Sequence, residues 1–176
     1  MVTYQKAWFF AVDDSKSRHK FLNGKKFINA AYHCPVCTGS TSLDVSNMKD
    51  GDFAWFALLQ KNYGLVGVRV EGNNKTIVMI NATGGKPVEA QTIPLNQKTV
   101  FFKAECDFTD KKDVANFFYS LDGKTWTPIG TQLKMAYTLP HFMGYRFTLF
   151  NYATKNVGGS ADFDFFHITD TISKKN

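Results

Sequence analysis

Two carboxylates on one predicted strand, Glu105 and Asp107, are the residues in this sequence whose spacing could support bond-breaking chemistry. Glycoside hydrolysis needs a pair of carboxyl groups flanking the scissile bond, and side chains two residues apart on a strand point to the same side. A third acid, Asp110, falls where a turn begins. The pattern therefore leaves two interpretations open: a catalytic pair, or an outward polar row on a half-exposed sheet.

Aromatic rings near planar hydrogen-bonding groups indicate a second kind of chemistry, the binding of sugars. A sugar presents apolar C–H faces ringed by hydroxyls, so its sites combine flat rings with arginine, amide and carboxylate groups. Trp55 could equally fill a gap in the core, and the arginines could form cross-strand charge pairs with Glu105 on one outer face. The candidates for sugar binding are Trp55, Arg69, Phe142, Tyr145 and Arg146.

The three cysteines give little support for a metal site or a disulfide framework. Cys34 and Cys37 have the spacing of zinc ligands, but a zinc site needs four ligands. Cys106 and His33 could complete the set only if the fold brought them close. We therefore expect a reduced pair without a metal.

A calcium site is the other metal that the sequence leaves open, because Asp164 lies on the predicted closing strand, Ala161 to Thr169. Calcium takes six to eight oxygen ligands, so loop carbonyls would have to contribute. A capping or salt-bridging aspartate is the alternative interpretation. No cofactor is required by any other pattern in the sequence.

Short alternating strands are the elements that would position these residues. Val66, Val68 and Val70 alternate with Leu65, Gly67, Arg69 and Glu71, as expected of a half-buried antiparallel strand. The runs 99–108 and 143–152 alternate too: they place Glu105 and Arg146 away from the core, and Tyr145, Phe147 and Leu149 together on one face. Further strands are predicted from Thr3 to Val12, Ser40 to Met48 and Thr125 to Ile129. We count eleven or twelve such runs between close turns, with 17 Phe, 7 Tyr and 3 Trp and no helical periodicity. This pattern predicts an all-β, two-sheet antiparallel jelly-roll sandwich.

Length, charge and hydropathy restrict the number of domains, the kinds of partner and the location of the protein. The 176 residues predict one domain, 1–176, and the net charge of +6 is scattered, which disfavours a nucleic-acid partner. No run of residues is apolar enough to span a bilayer, so we expect no membrane partner. The apolar stretch from Ala7 to Val12 is too short for a signal peptide. We expect either an intracellular protein or a piece of a longer chain whose targeting signal is missing.

Several long segments, in order, carry a resemblance to a known module: STSLDVSNMKDGDFAWFALLQKNYGLVGV, YSLDGKTWTPIG, LKMAYTLPHFMGYRFTLFNYAT and GGSADFDFFHI. They resemble the C-terminal β-sandwich of glycoside hydrolase family 43 enzymes, the β-xylosidases and α-arabinofuranosidases. The similarity spans roughly Cys37 to Ile168, whereas residues 1–35 match poorly. The resemblance implies a concanavalin-A-like sandwich.

It also implies a non-catalytic carbohydrate-binding or accessory module for xylan or arabinoxylan, whose partner would be a family 43 catalytic domain. Catalysis in that family belongs to a five-bladed propeller, for which this chain is too short. An aromatic residue of the module can reach the catalytic pocket in the parent enzymes, and we expect Phe142 in that role. Two alternatives remain: unaided hydrolysis by Glu105 and Asp107, or a structural module that docks on a catalytic propeller and completes it.

Overall fold

A computed structural model describes residues 19–22, 27–31, 35–136 and 144–173. This part of the chain is built of thirteen strands and two short 3-10 turns, Thr83–Gly85 and Thr109–Lys111. The strands are β1 His19–Leu22, β2 Phe27–Ala31, β3 Val36–Asp44, β4 Asp52–Leu59, β5 Gly64–Glu71, β6 Asn74–Asn81, β7 Val88–Pro94, β8 Thr99–Asp107, β9 Val114–Ser120, β10 Thr127–Pro128, β11 Leu133–Lys134, β12 Arg146–Ala153 and β13 Ser160–Thr169.

The strands form two antiparallel sheets. The seven-stranded sheet has the order β1-β13-β3-β8-β9-β10, with β11 also pairing with β9. The six-stranded sheet has the order β2-β12-β4-β5-β6-β7. This arrangement confirms the predicted concanavalin-A-like sandwich.

The core lies between the sheets and is formed by the inward residues of each alternating strand. Phe56 and Phe147 stack in it with ring centroids 5.8 Å apart, and Phe102 and Phe163 enter from the other sheet fully buried. Burial of such large apolar side chains is the main stabilising contribution in a fold of this kind. The predicted inward residues Val66, Val68 and Val70 all belong to this core.

Several strand boundaries differ from the expectation. The predicted strand from Ser40 to Met48 is β3, Val36–Asp44, because a turn already begins after Asp44. The predicted return strand Thr125 to Ile129 is reduced to β10, Thr127–Pro128. The predicted strand from Thr3 to Val12 lies outside the described residues. No helix in the described ranges is long and apolar enough to cross a membrane.

Candidate functional site

The outward side of the six-stranded sheet carries a row of aromatic rings, Phe53, Trp55, Phe150 and Tyr152, which we call the aromatic face. It forms because β4 and β12 are neighbours in register, with Trp55 opposite Phe150 and Phe53 opposite Tyr152. The ring centroids of Phe53 and Tyr152 are 5.0 Å apart, and those of Phe150 and Tyr152 are 6.3 Å apart, with interplanar angles of 12° and 13°. The rings of Phe53, Phe150 and Tyr152 are half-buried. Phe53 and Tyr152 therefore stack on each other, and with Phe150 they form a contiguous row of aromatic rings.

Trp55 is the most deeply buried ring of this row. It is 2% exposed, yet it lies outside the core between the sheets. Its indole covers Gly67, the residue opposite it on β5. A Cβ atom at Gly67 would stand 2.8 Å from Trp55 Cε3 and 2.0 Å from the carbonyl oxygen of Ala54. Trp55 can lie flat on the sheet only because this position is glycine.

Trp55 Nε1 and Thr148 Oγ1 are among the polar atoms on this side of the sheet that are buried without a hydrogen-bond partner in the described part of the chain. Thr148 is opposite Ala57, which is two residues from Trp55 on the same strand, so both side chains belong to the aromatic face. An unpaired buried donor or acceptor costs about 1–3 kcal/mol, and buried polar groups in native proteins are rarely unpaired. Neither atom is exposed, so a partner from outside the chain, either solvent or a ligand, could pair with them only if neighbouring side chains move.

The structure brings Arg69 and Arg146 to the two ends of the aromatic face. Arg69 is opposite Phe53, and its Nη1 donates to Glu89 Oε2 at 2.8 Å. Arg146 is opposite Leu59 at the other end of β4. The expectation that Glu105 shares their outer face is wrong, because β8 belongs to the seven-stranded sheet.

Two other predicted sugar-binding residues are not part of this face. Tyr145 points into the core and is 8% exposed, and its hydroxyl oxygen accepts a hydrogen bond from the amide of Ala136 at 2.9 Å. Burial raises the pKa of the Tyr145 hydroxyl above its usual value. Phe142 lies outside the described residues.

Glu105, one of the two candidate catalytic acids, is held in a network on the outward side of the seven-stranded sheet. Its Oε1 accepts hydrogen bonds from Lys103 Nζ at 2.7 Å and from the Ser173 hydroxyl at 2.6 Å. The residue is 9% exposed. These contacts give Glu105 a structural role in tying residue 173 to the sheet.

Asp107 lies on the same outward side, as the alternation predicted. It accepts hydrogen bonds from the amide of Thr109 at 2.9 Å and from Lys112 Nζ at 3.0 Å. The hydroxyl of Thr109, followed by Lys112, holds the pKa of the Asp107 carboxyl below its usual value. A general acid of a glycosidase needs a raised pKa, so Asp107 is poorly suited to that role.

The residues considered for metal binding lie in separate places. Cys37 and Cys106 are cross-strand partners on β3 and β8, and both are buried. Cys34 and His33 lie outside the described residues. Asp164 is exposed on β13, where the register with β3 shifts. Within the described ranges, no group of three or more His, Cys, Asp or Glu side chains could hold a metal ion. Calcium binding by Asp164 stays a prediction.

Fold and site together define a concanavalin-A-like β-sandwich module with an outward aromatic face. The family model described as "Beta xylosidase C-terminal Concanavalin A-like domain" matches residues 30–169. The chain therefore belongs to this family of C-terminal modules from glycoside hydrolase family 43 enzymes. No curated protein matches the sequence.

Solved structures agree with this assignment. A bifunctional GH43-CE protein from Bacteroides eggerthii is 53% identical, with a TM-score of 0.83 over 88% of this chain and 21% of its own. An engineered GH43 glycoside hydrolase with endo-xylanase and exo-arabinofuranosidase activity is 24% identical, with a TM-score of 0.79 over 87% of this chain and 34% of its own. The GH43 BlXynB protein from Bacillus licheniformis is 17% identical, with a TM-score of 0.73 over 86% of this chain and 32% of its own. The last two show the fold alone. This chain spans between a fifth and about a third of the length of these three proteins.

Proposed function

We propose that this module binds a xylan or arabinoxylan chain on its aromatic face, in the service of a family 43 glycoside hydrolase and without breaking bonds itself. The observation that carries the proposal is the row of three half-buried, nearly parallel rings beside two buried, unpaired polar atoms. Rings and unsatisfied hydrogen-bonding groups are what a sugar chain, with its apolar faces and hydroxyl edges, requires of a binding surface.

Each part of the aromatic face has a role in this proposal. The rings of Phe53, Phe150 and Tyr152 would pack against the C–H faces of successive sugar units. The Trp55 indole N–H would donate to a sugar oxygen, and the Thr148 hydroxyl would bond a sugar hydroxyl. Pairing these two atoms would remove the desolvation cost that they carry in the free protein, so that each adds to affinity.

The class of polysaccharide is proposed from the relatives. The family takes its description from β-xylosidase, and the engineered relative displays endo-xylanase and exo-arabinofuranosidase activity. The first description concerns xylosides, and the second concerns xylan and arabinofuranosides. The module would then keep a partner catalytic domain close to its polysaccharide, raising the effective concentration of substrate.

The test is calorimetric titration of the full chain with xylohexaose, together with affinity electrophoresis in arabinoxylan. Changing Tyr152→Ala should weaken binding at least about tenfold, the loss expected when a central aromatic anchor is truncated. Phe165→Ala is the matched control, because Phe165 is a half-buried ring on the seven-stranded sheet, with its centroid 6.5 Å from that of Phe101. Equal affinities for the wild type and Tyr152→Ala would overturn the proposal.

Docking on a catalytic domain is a second candidate, favoured by the apolar character of the same sheet surface. Leu59, Leu65 and Ile80 continue the aromatic face and are only partly buried. The similar structures also contain much more chain than the segment matched here. Docking predicts that the isolated module does not bind xylohexaose. It also predicts that Tyr152→Ala lowers the melting temperature of the module joined to its catalytic domain.

Unaided hydrolysis gains no support from the contacts of Glu105 and Asp107. It is tested by release of p-nitrophenol from xyloside and arabinofuranoside substrates, for which we expect no turnover by this chain alone. Turnover that disappears in Glu105→Gln would revive the catalytic interpretation.

A further inference from the structure

The outward side of the seven-stranded sheet contains a groove of about 890 Å³, which we call the polar groove. This volume is within the range of about 300–1,000 Å³ that is usual for small-ligand sites. Its walls come from β8, β9 and β10, from residues 132–134 and from the segment that follows β13. The lining residues used below are Glu105, Asn116, Phe118, Pro128, Gln132 and Lys134.

The register of the strands explains why these side chains meet. Across β8 and β9, Glu105 is opposite Asn116, and Lys103 is opposite Phe118. On the other edge of β9, Pro128 is opposite Phe118. Because neighbours in register point to the same side of a sheet, polar and apolar groups alternate along the groove.

Most charges in the groove are paired within the protein. Lys103 Nζ is 2.7 Å from Glu105 Oε1, and Lys112 Nζ is 3.0 Å from Asp107 Oδ2. Lys134 is then the one lining cation without an ion pair among the described residues. A groove with so little net charge disfavours a strongly charged ligand and suits a neutral, polar one.

Each of the two side-chain amides in the groove makes a hydrogen bond with only one of its two polar atoms among the described residues. Gln132 Nε2 donates to Asn116 Oδ1 at 3.1 Å. Among the described residues, the pair leaves the Asn116 amide group as a donor and the Gln132 amide oxygen as an acceptor. Beside them, Phe118 and Pro128 offer apolar surface, and Lys134 offers another donor. Donors, an acceptor and apolar surface within one groove match a molecule that carries hydroxyls on an apolar ring.

We propose that the polar groove is a second carbohydrate site, which takes a short neutral oligosaccharide. It lies on the opposite side of the sandwich from the aromatic face, so the two sites would act independently. The module would then have one face for stacking along a polysaccharide chain and one groove for hydrogen bonding to a chain end or a branch. Two sites on one module strengthen attachment to a polymer without any additional contact at either site.

The experiment is titration of the isotope-labelled full chain with xylotetraose, followed by amide NMR spectra. We expect saturable shifts at residues 114–118 and 132–134, and Gln132→Ala should weaken that binding about fivefold, the usual effect of one lost hydrogen bond. Lys124→Ala, an exposed change in the turn that follows β9, is the matched control and should have no effect. Gln132 is exposed, so its replacement should disturb only neighbouring amides, such as those near Asn116, to which its side chain bonds.

The same titration separates this proposal from the aromatic face. In Tyr152→Ala the shifts at residues 114–118 and 132–134 should persist with unchanged affinity. Shifts near residues 53–55 and 150–152 that are lost in this variant report binding at the aromatic face alone. The proposal is overturned if the groove amides do not shift in the wild type, or if Gln132→Ala binds as tightly as the wild type.

Discussion

The two outward surfaces of this sandwich are built from the same strand geometry but have opposite chemistry. The aromatic face combines stacked rings with two buried polar atoms that lack partners in the described chain. The polar groove contains ion pairs that neutralise each other and an amide pair that bonds internally. The comparison teaches that a flat sheet can present either apolar planes or hydrogen-bonding edges, which are the two surfaces that a sugar offers.

The largest expected effect is a loss of stability when Gly67, the residue that Trp55 covers in the aromatic face, is replaced. Gly67→Ala would place a Cβ atom 2.0 Å from the Ala54 carbonyl oxygen, which belongs to rigid backbone, and against Trp55. We expect a loss of about 3 kcal/mol in the free energy of unfolding, measured by urea denaturation. Gly144→Ala is the control, because nothing lies within 4 Å of its added Cβ atom, and its effect should stay within about 0.5 kcal/mol. Equal effects of the two changes would contradict this account of Trp55.

A smaller effect is expected from breaking the ion pair in the polar groove. The side chains of Lys103 and Glu105 are each 10% exposed, so Glu105→Ala leaves a poorly solvated ammonium group. We expect a loss of about 2 kcal/mol in urea denaturation. The double change Lys103→Met with Glu105→Leu should recover most of this loss, because it removes both charges and keeps the volume. A double variant as unstable as the single one would show that packing, and not charge, is responsible.

The next change distinguishes the contribution of Trp55 to stability from its contribution to binding at the aromatic face. Trp55→Phe removes the unpaired indole N–H and keeps an aromatic ring over Gly67. We expect the free energy of unfolding to change by less than about 1 kcal/mol, whereas the affinity for xylohexaose should fall about fivefold. Trp126→Phe, near Lys103 on the other side of the sandwich, should change neither quantity. Calorimetry gives the affinities, and undiminished binding by Trp55→Phe would exclude the indole N–H as a sugar donor.

The smallest expected effect is a loss of stability at low pH. Asp122, in the turn after β9, accepts hydrogen bonds from the amides of Thr125 at 2.7 Å and Lys124 at 2.8 Å. These bonds hold its pKa well below the ordinary value of 3.8. Its contribution to stability is therefore complete above about pH 4 and is lost as the pH falls through the lowered pKa.

Carboxyl NMR should give a titration midpoint for Asp122 below 3.8. Urea midpoints between pH 4 and pH 2 should fall more steeply in the wild type than in Asp122→Asn. Parallel slopes for the two proteins would refute this explanation.

Strand alternation predicted the faces correctly but not the assignment of strands to sheets. It placed Glu105 outward and Tyr145, Phe147 and Leu149 together on one face, and the core confirms the latter three. It could not show that Glu105 and Arg69 belong to different sheets, because the pairing of distant strands is not encoded in local periodicity. Alternation says which side a residue faces and nothing about its partner strand.

The aromatic face was predicted only in part for the same reason. Trp55 was recognised from its type, but its burial depends on Gly67, which becomes its neighbour only when β4 and β5 pair. Phe53, Phe150 and Tyr152 could have been found by extending the alternation of β4 and β12. No local signal indicated that Ser173 would bond Glu105, since the two are 68 residues apart in the sequence.

The positions of β12 and β13 have a consequence for how this chain can fold during synthesis. They are the last two strands of the described chain, yet β12 lies between β2 and β4, and β13 lies between β1 and β3. The six-stranded sheet cannot be completed before β12 is synthesised, nor the seven-stranded sheet before β13, so until then the earlier strands have unpaired edges that could pair with other chains. Nested truncations from the carboxyl end should therefore aggregate as soon as they pass residue 160.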